Sequence, residues 1–350
     1  MSAPGDRHGP SILVVGAAWV GDMVMAQALF MALRQRHPDC RITVLAPAWS
    51  RPLLARMPEV DAAIDLPFAH GELNLAGRLQ LARGLAPKGF DRAIVLPNSF
   101  KSALIPALAG IPVRTGWRGE MRFGLLNDIR LLDKRRYPRM VERFVALAHP
   151  PGRPLPEPLP RPHLRADPER LAALRARFVL DPERPVLALC PGAEFGPAKR
   201  WPATHYAQVA EALIARGWQV WILGSARDRE VAEAVIAGLP EALRARVHNL
   251  AGATELADAV DLLAAASLVV SNDSGLMHIA AALDRPLIVV YGASSPAFTP
   301  PLSGRAETLA IPVDCGPCFA RECPKRHLKC LNDLRPELVL AAAARLLGGD

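Results

Sequence analysis

The sequence predicts an α/β protein built from two Rossmann-like domains, each containing a doubly wound parallel sheet. Its length of 350 residues suits two domains of ordinary size. Short apolar runs rich in β-branched residues alternate with amphipathic stretches in both halves of the chain. A proline-rich segment over residues 150–163 separates the halves, because its prolines deny a helix its hydrogen bonds. Strands joined by single helices pair in parallel through right-handed crossovers.

The first half carries four apolar runs that predict strands: SILVVG, RITVLAP, AAIDLP and DRAIVLP. Amphipathic spacing predicts helices over about residues 23–36 and 51–57. We expect an N-terminal domain over residues 1–149, a proline-rich linker over 150–166 and a C-terminal domain over 167–350.

The second half repeats the alternation with the runs PVLALCPG, WQVWILGS, RVHNLAG, SLVVSND and PLIVVYG. Helices are predicted over about residues 204–216 and from Asp228, Glu255 and Leu276 onwards. Ligands of doubly wound sheets bind beyond the carboxyl ends of strands. The loops after SILVV, PVLALC, WQVWIL, SLVV and PLIVV are therefore the candidate site.

Composition excludes several classes of protein. The formal charge of +8 and the pI of about 9.5 favour an anionic partner. Aromatic residues make up only 5% and no nucleic-acid motif is visible, so nucleic acid is not the expected partner. No apolar run approaches the roughly 18 residues of a membrane span. The first apolar run, SILVV, is too short for the core of a signal peptide, so we expect a cytoplasmic protein.

The loop after the first predicted strand reads GAAWVGD over residues 16–22. Its spacing is that of a P-loop, but Asp22 stands where the P-loop requires lysine, and a carboxylate there repels phosphate. Two interpretations of Asp22 remain open at this point. It is either a helix N-cap or a general base that takes a proton from an attacking hydroxyl.

The segment SNDSGLMHIAAAL follows the predicted strand SLVV. Asn272, Asp273 and Ser274 are good helix N-caps, and Gly275 lets a ligand approach the backbone. The free amides and positive dipole end of the following helix form an anion site. His278 lies one turn further along the same side. The alternatives are a capping Asp273 and a merely packed His278.

The loop PGAEFGPAKRWP supplies two cations, Lys199 and Arg200, after the strand PVLALC. Cations in this position neutralise a diphosphate and stabilise it as a leaving group, unless they are only a solvated surface pair. Gly224 and Ser225 end the next strand and offer another loop of close approach. Together these loops predict a nucleotide diphosphate site, which fits group transfer from a nucleotide sugar.

A cluster of cysteines lies near the C-terminus, in CGPCFARECPKRHLKC. It contains His327 and the four thiols of Cys315, Cys318, Cys323 and Cys330. The first pair has zinc-knuckle spacing, whereas the later gaps fit no common zinc finger. The reducing cytoplasm disfavours lasting disulfides. Reduced structural thiols are the favoured interpretation, and structural zinc stays open.

Five stretches resemble the type II lipopolysaccharide heptosyltransferases of glycosyltransferase family 9. They read WVGDMVMAQAL, APAWSRPLLARMPEV, LPNSFKSALIPALAGIPVRTGWRGEMRFGLLND, CPGAEFGPAKRWP and NDSGLMHIAAALDRPL. The resemblance runs from about residue 11 to residue 345. It implies a GT-B fold with an acceptor-binding N-terminal domain and a donor-binding C-terminal domain. The implied reaction is inverting transfer of L-glycero-D-manno-heptose from ADP-heptose to the first heptose of Hep-Kdo2-lipid A, with no catalytic metal or other cofactor.

The resemblance also implies a role for each matching residue. Asp22 matches the catalytic base, which deprotonates the hydroxyl at position 3 of the first heptose. Lys199 matches the catalytic lysine on the diphosphate. Further donor-binding positions are Asp273, Ser274, Gly275 and His278, with Ser225 and Glu194 added from loop position. Ser274 stands where the type I enzymes usually have threonine, and it keeps the hydroxyl that bonds phosphate.

Positive charge concentrates late in the first half. The cations there are Lys101, Arg114, Arg118, Arg122, Arg130, Lys134, Arg135, Arg136 and Arg139. They form either a solvated face or, since the implied acceptor carries carboxylates and phosphates, a docking surface that also holds the protein at the inner membrane. Trp19 and Trp117 either stack on sugars or pack. The competing functions are a type I heptosyltransferase acting on Kdo2-lipid A, a nucleotide-sugar epimerase of similar fold, and a binding protein without activity.

Overall fold

The computed structural model describes residues 9–69 and 71–348. The chain divides into two compact units, with the boundary between Pro162 and His163. The expectation that no signal peptide is present concerns residues 1–8 among others, and these lie outside the described residues.

The first unit contains a parallel six-stranded sheet with the order β3-β2-β1-β4-β5-β6. The strands are β1 (Ser11–Val15), β2 (Arg41–Ala46), β3 (Ala62–Asp65), β4 (Arg92–Val95), β5 (Val113–Trp117) and β6 (Asp128–Arg130). The helices are α1 (Val20–Arg36), α2 (Arg51–Leu54), α3 (Leu75–Leu85), α4 (Phe100–Leu108) and α5 (Met140–Val145). The central strands are continuous apolar runs because helices cover both faces of a doubly wound sheet.

The second unit repeats this architecture, with the strand order β12-β11-β10-β7-β8-β9. The strands are β7 (Val186–Cys190), β8 (Gln219–Ile222), β9 (Val247–Asn249), β10 (Leu268–Asn272), β11 (Leu287–Val290) and β12 (Ala306–Leu309). The helices are α6 (Pro168–Phe178), α7 (Ala203–Ile214), α8 (Arg229–Ala237), α9 (Glu241–Arg244), α10 (Leu256–Ala264), α11 (Gly275–Ala282), α12 (Lys329–Asn332) and α13 (Pro336–Leu347). Strands β7, β8, β10 and β11 are buried along their whole length and form the core of this unit.

Both units have the Rossmann strand order, in which the first strand lies between the second and the fourth. The predicted α/β class with two Rossmann-like doubly wound domains is confirmed. Every apolar run singled out in the sequence forms a strand. Sequence patterns missed β5, β6 and β12, whose sequences VRTGW, DIR and AETL carry charged residues or glycine and lack a continuous apolar run.

Helix α1 begins at Val20, three residues before the predicted start. Trp19 is its N-cap residue and has extended backbone dihedrals, with φ −115° and ψ 143°. The Met23 N–H donates to the Trp19 carbonyl at 2.9 Å and closes the first turn. Gly21, the second glycine of the loop motif, therefore lies inside α1, and Asp22 is the third residue of this helix.

Within the described residues, no helix combines the length and the apolar character needed to cross a membrane.

Candidate active site

Each sheet has one point at which the strand order reverses, and this is where doubly wound sheets bind ligands. In the first unit it lies between β1 and β4, and in the second between β7 and β10. The loop of residues 16–19 leaves β1 at the first of these points. The segments that follow β7 and β10 leave the sheet at the second. The predicted site residues Asp22, Lys199 and Asp273 all follow these strands.

Asp22 lies in the first turn of α1 and is half-buried. The N-cap position belongs to Trp19, so the alternative that Asp22 is the N-cap residue is wrong. The helix N-terminus favours a negative charge at this position through its dipole. An ionised carboxylate at the carboxyl end of β1 is chemically able to accept a proton, which keeps the general-base interpretation.

Lys199 and Asp273 form the central ion pair of the second unit. The Lys199 Nζ lies 2.6 Å from the Asp273 Oδ2, and the two side chains are 17% and 4% exposed. Lys199 lies in a short 3-10 turn of residues 197–199, and Asp273 directly follows β10. Because Asp273 pairs with Lys199 and Ser274 is the N-cap of α11, the alternative that Asp273 is only a cap is wrong. The Lys199 ammonium also lies 5.1 Å from the centre of the Phe195 ring.

Asn272 fixes the Lys199 loop to strand β10. Its Oδ1 accepts hydrogen bonds from the Trp201 N–H at 2.9 Å and the Tyr206 hydroxyl at 3.0 Å. Its Nδ2 donates to the Pro191 carbonyl at 2.6 Å and the Gly192 carbonyl at 3.4 Å. The residue is fully buried. Sequence reasoning assigned Asn272 only a capping tendency, and no local signal shows that it connects two loops and a helix.

His278 is buried in α11 close to the ion pair. Burial lowers the pKa of His278 to about 4, with Asp273 opposing this shift and Lys199 adding to it. The imidazole is therefore neutral at physiological pH. A neutral histidine beside a lysine and a carboxylate can donate one hydrogen bond and accept another without adding charge to the site.

The N-terminus of α11 is built as an anion site. Ser274 is the N-cap residue, and its side chain makes no capping hydrogen bond. The Ser274 Oγ instead lies 3.3 Å from the Ser271 Oγ. Gly275 is the first helical residue, so no side chain stands over the first amides. The first-turn N–H groups and the Ser274 hydroxyl remain able to bind an anion.

Ser225 and Glu194 have other partners in the structure. Ser225 forms a capping box with Asp228, since its N–H and its Oγ donate to the Asp228 Oδ2 at 2.9 and 2.8 Å. Glu194 forms an ion pair with Arg227. The sequence analysis named Asp228 only as the start of a helix and missed its capping role, although the Ser-x-x-Asp spacing is a recognisable capping signal. A side chain at Gly192 would collide with the Asp228 carboxylate, which explains this glycine.

The basic cluster of the first unit separates into structural and exposed members. Arg122 is 2% exposed and donates to the Pro97 carbonyl at 2.7 Å and to the Trp117 carbonyl. Structural roles within the first unit are held by Arg114, Arg122, Arg130 and Arg139. The exposed members are Arg118, Lys134, Arg135 and Arg136. Neither a solvated face nor a docking surface therefore describes the four structural arginines, and both interpretations stay open for the four exposed cations.

A row of exposed apolar side chains follows the carboxyl ends of the first sheet. Nine large apolar side chains are exposed among the described residues of this unit, and eight of them lie within the segment that follows a strand, up to and including the first residue of the next helix. These eight, which we call the apolar rim, are Trp19, Trp49, Leu73, Leu75, Phe100, Met121, Phe123 and Leu131. The exception is Leu108, at the end of α4. Trp117, in contrast, is buried and its indole N–H donates to the Arg143 carbonyl at 3.1 Å, so it packs.

The six cysteines are reduced. Within residues 9–69 and 71–348, no group of three or more His, Cys, Asp or Glu side chains is arranged to hold a metal ion. Cys190 ends β7, and burial raises its thiol pKa to about 12, so it is not a nucleophile.

The comparison with protein families decides the class of enzyme. The model of glycosyltransferase family 9 (heptosyltransferase) matches residues 78–329. The chain belongs to this family. Lipopolysaccharide heptosyltransferase 2 of Salmonella typhimurium is 51% identical over 97% of this chain and 99% of its own length. The protein of the same name from Escherichia coli K12 is 50% identical, with 96% and 98% covered. The solved E. coli ADP-heptose LPS heptosyltransferase II is similar with a TM-score of 0.87 and 49% identity, over 96% of this chain and 98% of that one.

The resemblance stated from five sequence stretches is thereby confirmed, and the protein is a family 9 glycosyltransferase of GT-B type. These comparisons do not favour the type I enzyme or the nucleotide-sugar epimerase. The roles of the individual site residues stay predictions, which the geometry supports to different degrees. It supports Lys199, Asp273, Ser274, Gly275 and His278 as one constellation, whereas Ser225 and Glu194 are engaged elsewhere.

Proposed function

We propose that this family 9 enzyme transfers L-glycero-D-manno-heptose from ADP-heptose to the first heptose of Hep-Kdo2-lipid A, with inversion. The observation that carries the proposal is the buried Lys199–Asp273 pair beside the uncapped N-terminus of α11. A fixed ammonium beside the first amides of a helix suits a diphosphate that gains charge as it leaves. The name of the solved E. coli relative, which is 49% identical, supports ADP-heptose as the donor. The names of the relatives that are 51% and 50% identical support lipopolysaccharide as the acceptor.

The donor diphosphate binds between the Lys199 ammonium and the first amides of α11. Both groups are held before the donor arrives, Lys199 by Asp273 and the amides by the helix, so little reorganisation is needed during reaction. The Ser274 hydroxyl adds a hydrogen bond to a phosphate oxygen. Asp273 and neutral His278 offer an acceptor and a donor to the nucleotide sugar.

Asp22 acts as the general base. It takes the proton from the acceptor hydroxyl as that oxygen forms a bond to the anomeric carbon of the donor. The bond from this carbon to the β-phosphate oxygen breaks, and ADP carries away the electron pair. Attack on the face opposite the leaving group inverts the anomeric configuration. Lys199 and the α11 dipole stabilise the charge on ADP and fill the role that a catalytic metal has in other glycosyl transfers.

The first unit receives the lipid acceptor through its apolar rim and the exposed cations next to it. Met121 and Phe123 are 80% and 68% exposed, and Arg118 lies in the same loop after β5. Lys134, Arg135 and Arg136 follow β6. Apolar and basic side chains at one edge of a sheet match a surface of acyl chains and phosphates. This surface also gives weak peripheral binding to the cytoplasmic face of the inner membrane.

The decisive experiment is mass spectrometry of the lipid after incubation with ADP-heptose. Hep-Kdo2-lipid A should gain the mass of one heptose, and Kdo2-lipid A should gain none. Transfer to Kdo2-lipid A alone would identify a type I enzyme. Loss of ADP-heptose without any acceptor would identify an epimerase, and binding without ADP release in either case would identify a non-catalytic protein.

The role of Asp22 is tested with Asp22→Asn. This change removes the base and keeps the shape, so transfer should fall at least about 100-fold while ADP affinity stays unchanged. Asp39→Asn is the control, because Asp39 is exposed and precedes β2 at the amino edge of the same sheet. Near-normal turnover by Asp22→Asn would remove Asp22 from the mechanism. Addition of Mg²⁺ or Mn²⁺ should leave the wild-type rate unchanged.

Membrane binding is tested by co-sedimentation with vesicles. The double variant Met121→Ser/Phe123→Ser should lose binding to vesicles that contain an anionic phospholipid. Leu108→Ser is the matched control, since Leu108 is 45% exposed but lies at the far end of α4 from the rim. Equal binding by both variants, or equal binding to purely zwitterionic vesicles, would contradict the assignment of this surface.

A further inference from the structure

The four cysteines of residues 315–330 converge on one small cavity of the second unit. The cavity has a volume of about 20 Å³, which is enough for one water molecule or one ion. Its lining includes the thiol-bearing residues Cys315, Cys318, Cys323 and Cys330, together with His327. The four cysteines thus line one cavity of the size of an ion, although their sequence spacing is not that of a common zinc finger.

Hydrogen bonds to its neighbours fix the tautomer of His327. Its Nδ1 accepts a hydrogen bond from the Lys329 N–H at 3.0 Å. The ring proton of a neutral imidazole must then be on Nε2. The Nε2 lies 3.9 Å from the Cys315 Sγ, so His327 donates to this sulfur. A histidine in this tautomer supports a thiolate from outside and is not itself a metal ligand.

Cys323 begins a tight turn, in which the Arg326 N–H donates to the Cys323 carbonyl at 3.0 Å. Arg326 and Leu328 have positive φ values of 57° and 47°. Left-handed conformations are uncommon for such residues, so the chain path of this turn is a specific one.

We propose that Cys315, Cys318, Cys323 and Cys330 bind one structural Zn²⁺ ion in the cavity that they line, with His327 as an outer hydrogen-bond donor to Cys315. Four thiolates are a standard tetrahedral ligand set for structural zinc. In the structure these side chains do not form a metal-binding group of three or more. The ion would draw the sulfurs inward from the cavity wall, a movement of side chains that leaves the turn in place.

The same segment supports the Lys199 loop by direct hydrogen bonds. The Arg321 carbonyl accepts from the Ala198 N–H at 3.1 Å, next to Lys199. The Phe319 N–H donates to the Ala293 carbonyl at 2.7 Å, and the Ala293 N–H donates to the Ala198 carbonyl at 3.3 Å. The guanidinium of Arg321 also lies 5.4 Å from the centre of the Phe195 ring. By fixing the cysteine segment, zinc would also stabilise the position of the Lys199 loop.

The Lys199 loop and the cysteine segment pack closely at Gly196. A side chain at Gly196 would collide with the Arg321 backbone, and one at Gly292 would lie 2.6 Å from Leu331. Leu331 follows Cys330 and is fully buried. A shift of the cysteine segment therefore displaces the donor loop as well.

The test is the metal content of the full-length protein, purified under reducing conditions and measured by inductively coupled plasma mass spectrometry. The wild type should hold about one zinc per chain. Cys318→Ser and Cys323→Ser should lose it, and Cys40→Ala should keep it, because Cys40 is a buried thiol of the other unit. His327→Gln should keep the metal but release it faster to a chelator. Cobalt exchanged into the wild type should show the absorption of tetrahedral thiolate coordination.

The proposal is overturned if the wild type holds no stoichiometric metal and gives no cobalt–thiolate absorption after reconstitution. It is also overturned if Cys318→Ser and Cys323→Ser keep as much metal as the wild type. Weaker ADP binding after zinc removal, restored by zinc, is expected as well, and this consequence alone rests on the proposed function. Zinc binding without any effect on ADP would leave the metal site in place and question the role of the Lys199 loop.

Discussion

Removal of the Lys199 ammonium should affect stability and donor binding for two separable reasons. In Lys199→Met, the Asp273 carboxylate loses its cation 2.6 Å away while it remains only 4% exposed. An uncompensated charge of this kind costs about 3 kcal/mol in the free energy of unfolding. If Lys199 contacts the diphosphate as proposed, donor binding also loses a charge-assisted hydrogen bond, which corresponds to an ADP affinity weaker by about 10- to 100-fold.

A second substitution separates the two effects. Lys199→Met/Asp273→Asn removes the stranded charge, so most of the lost stability should return, with a coupling energy of about 2 kcal/mol between the two sites. ADP affinity should stay low in this double variant because the ammonium is still absent. Asp273→Asn alone keeps the ammonium and should keep ADP affinity within about tenfold of the wild type.

The assays are urea unfolding for stability and isothermal titration calorimetry for ADP. Lys88→Met is the control, since Lys88 is exposed and lies in the other unit. Recovery of ADP affinity in the double variant would refute the reasoning. It would mean that Lys199 only neutralises Asp273 and does not contact the diphosphate.

Three further predictions concern stability. Because the pKa of His278 is about 4 when folded and 6.5 when unfolded, its contribution is complete above pH 6.5 and is lost as the pH falls towards 4. The free energy of unfolding of the wild type, measured with urea, should therefore fall between pH 7 and pH 5 by about 2 kcal/mol more than that of His278→Gln. An equal fall in both proteins would contradict burial as the cause of the lowered pKa. Gly192→Ala should destabilise by about 1–3 kcal/mol through its collision with Asp228, whereas Gly84→Ala, with open space around a helical glycine, should stabilise by about 0.5–1 kcal/mol in thermal unfolding. Arg122→Met should lower the melting temperature clearly and Arg118→Met should not, since only Arg122 satisfies buried carbonyls; the opposite order would refute its structural role.

Much of the fold and part of the site could be predicted from local patterns. Strands such as β1 and β11 are almost entirely apolar and rich in β-branched residues, and a sheet covered on both faces favours this pattern in its central strands. Because the strands are parallel, the loops that follow them all lie at the carboxyl edge of the sheet. For this reason the sequence alone places Asp22, Lys199 and Asp273 near the switch points.

Other features were out of reach because they depend on residues distant in sequence. Arg122 resembles its exposed neighbour Arg118 in every local respect, and only the carbonyls of Pro97 and Trp117 decide that it is buried. The apolar rim is equally invisible, since its members are spread over six loops that meet only because the strands run parallel.

The sequence by itself determined the class of fold, the family and the chemical types present at each strand end, because hydrophobic period and residue chemistry are local properties. The tertiary structure decided the partners. It brought Lys199 onto Asp273, which lies 74 residues further along the chain, and it placed four cysteines in the lining of one cavity. Burial and charge pairing arise only when parallel strands align their carboxyl ends, so these contacts follow from the assembled sheet and from no single segment.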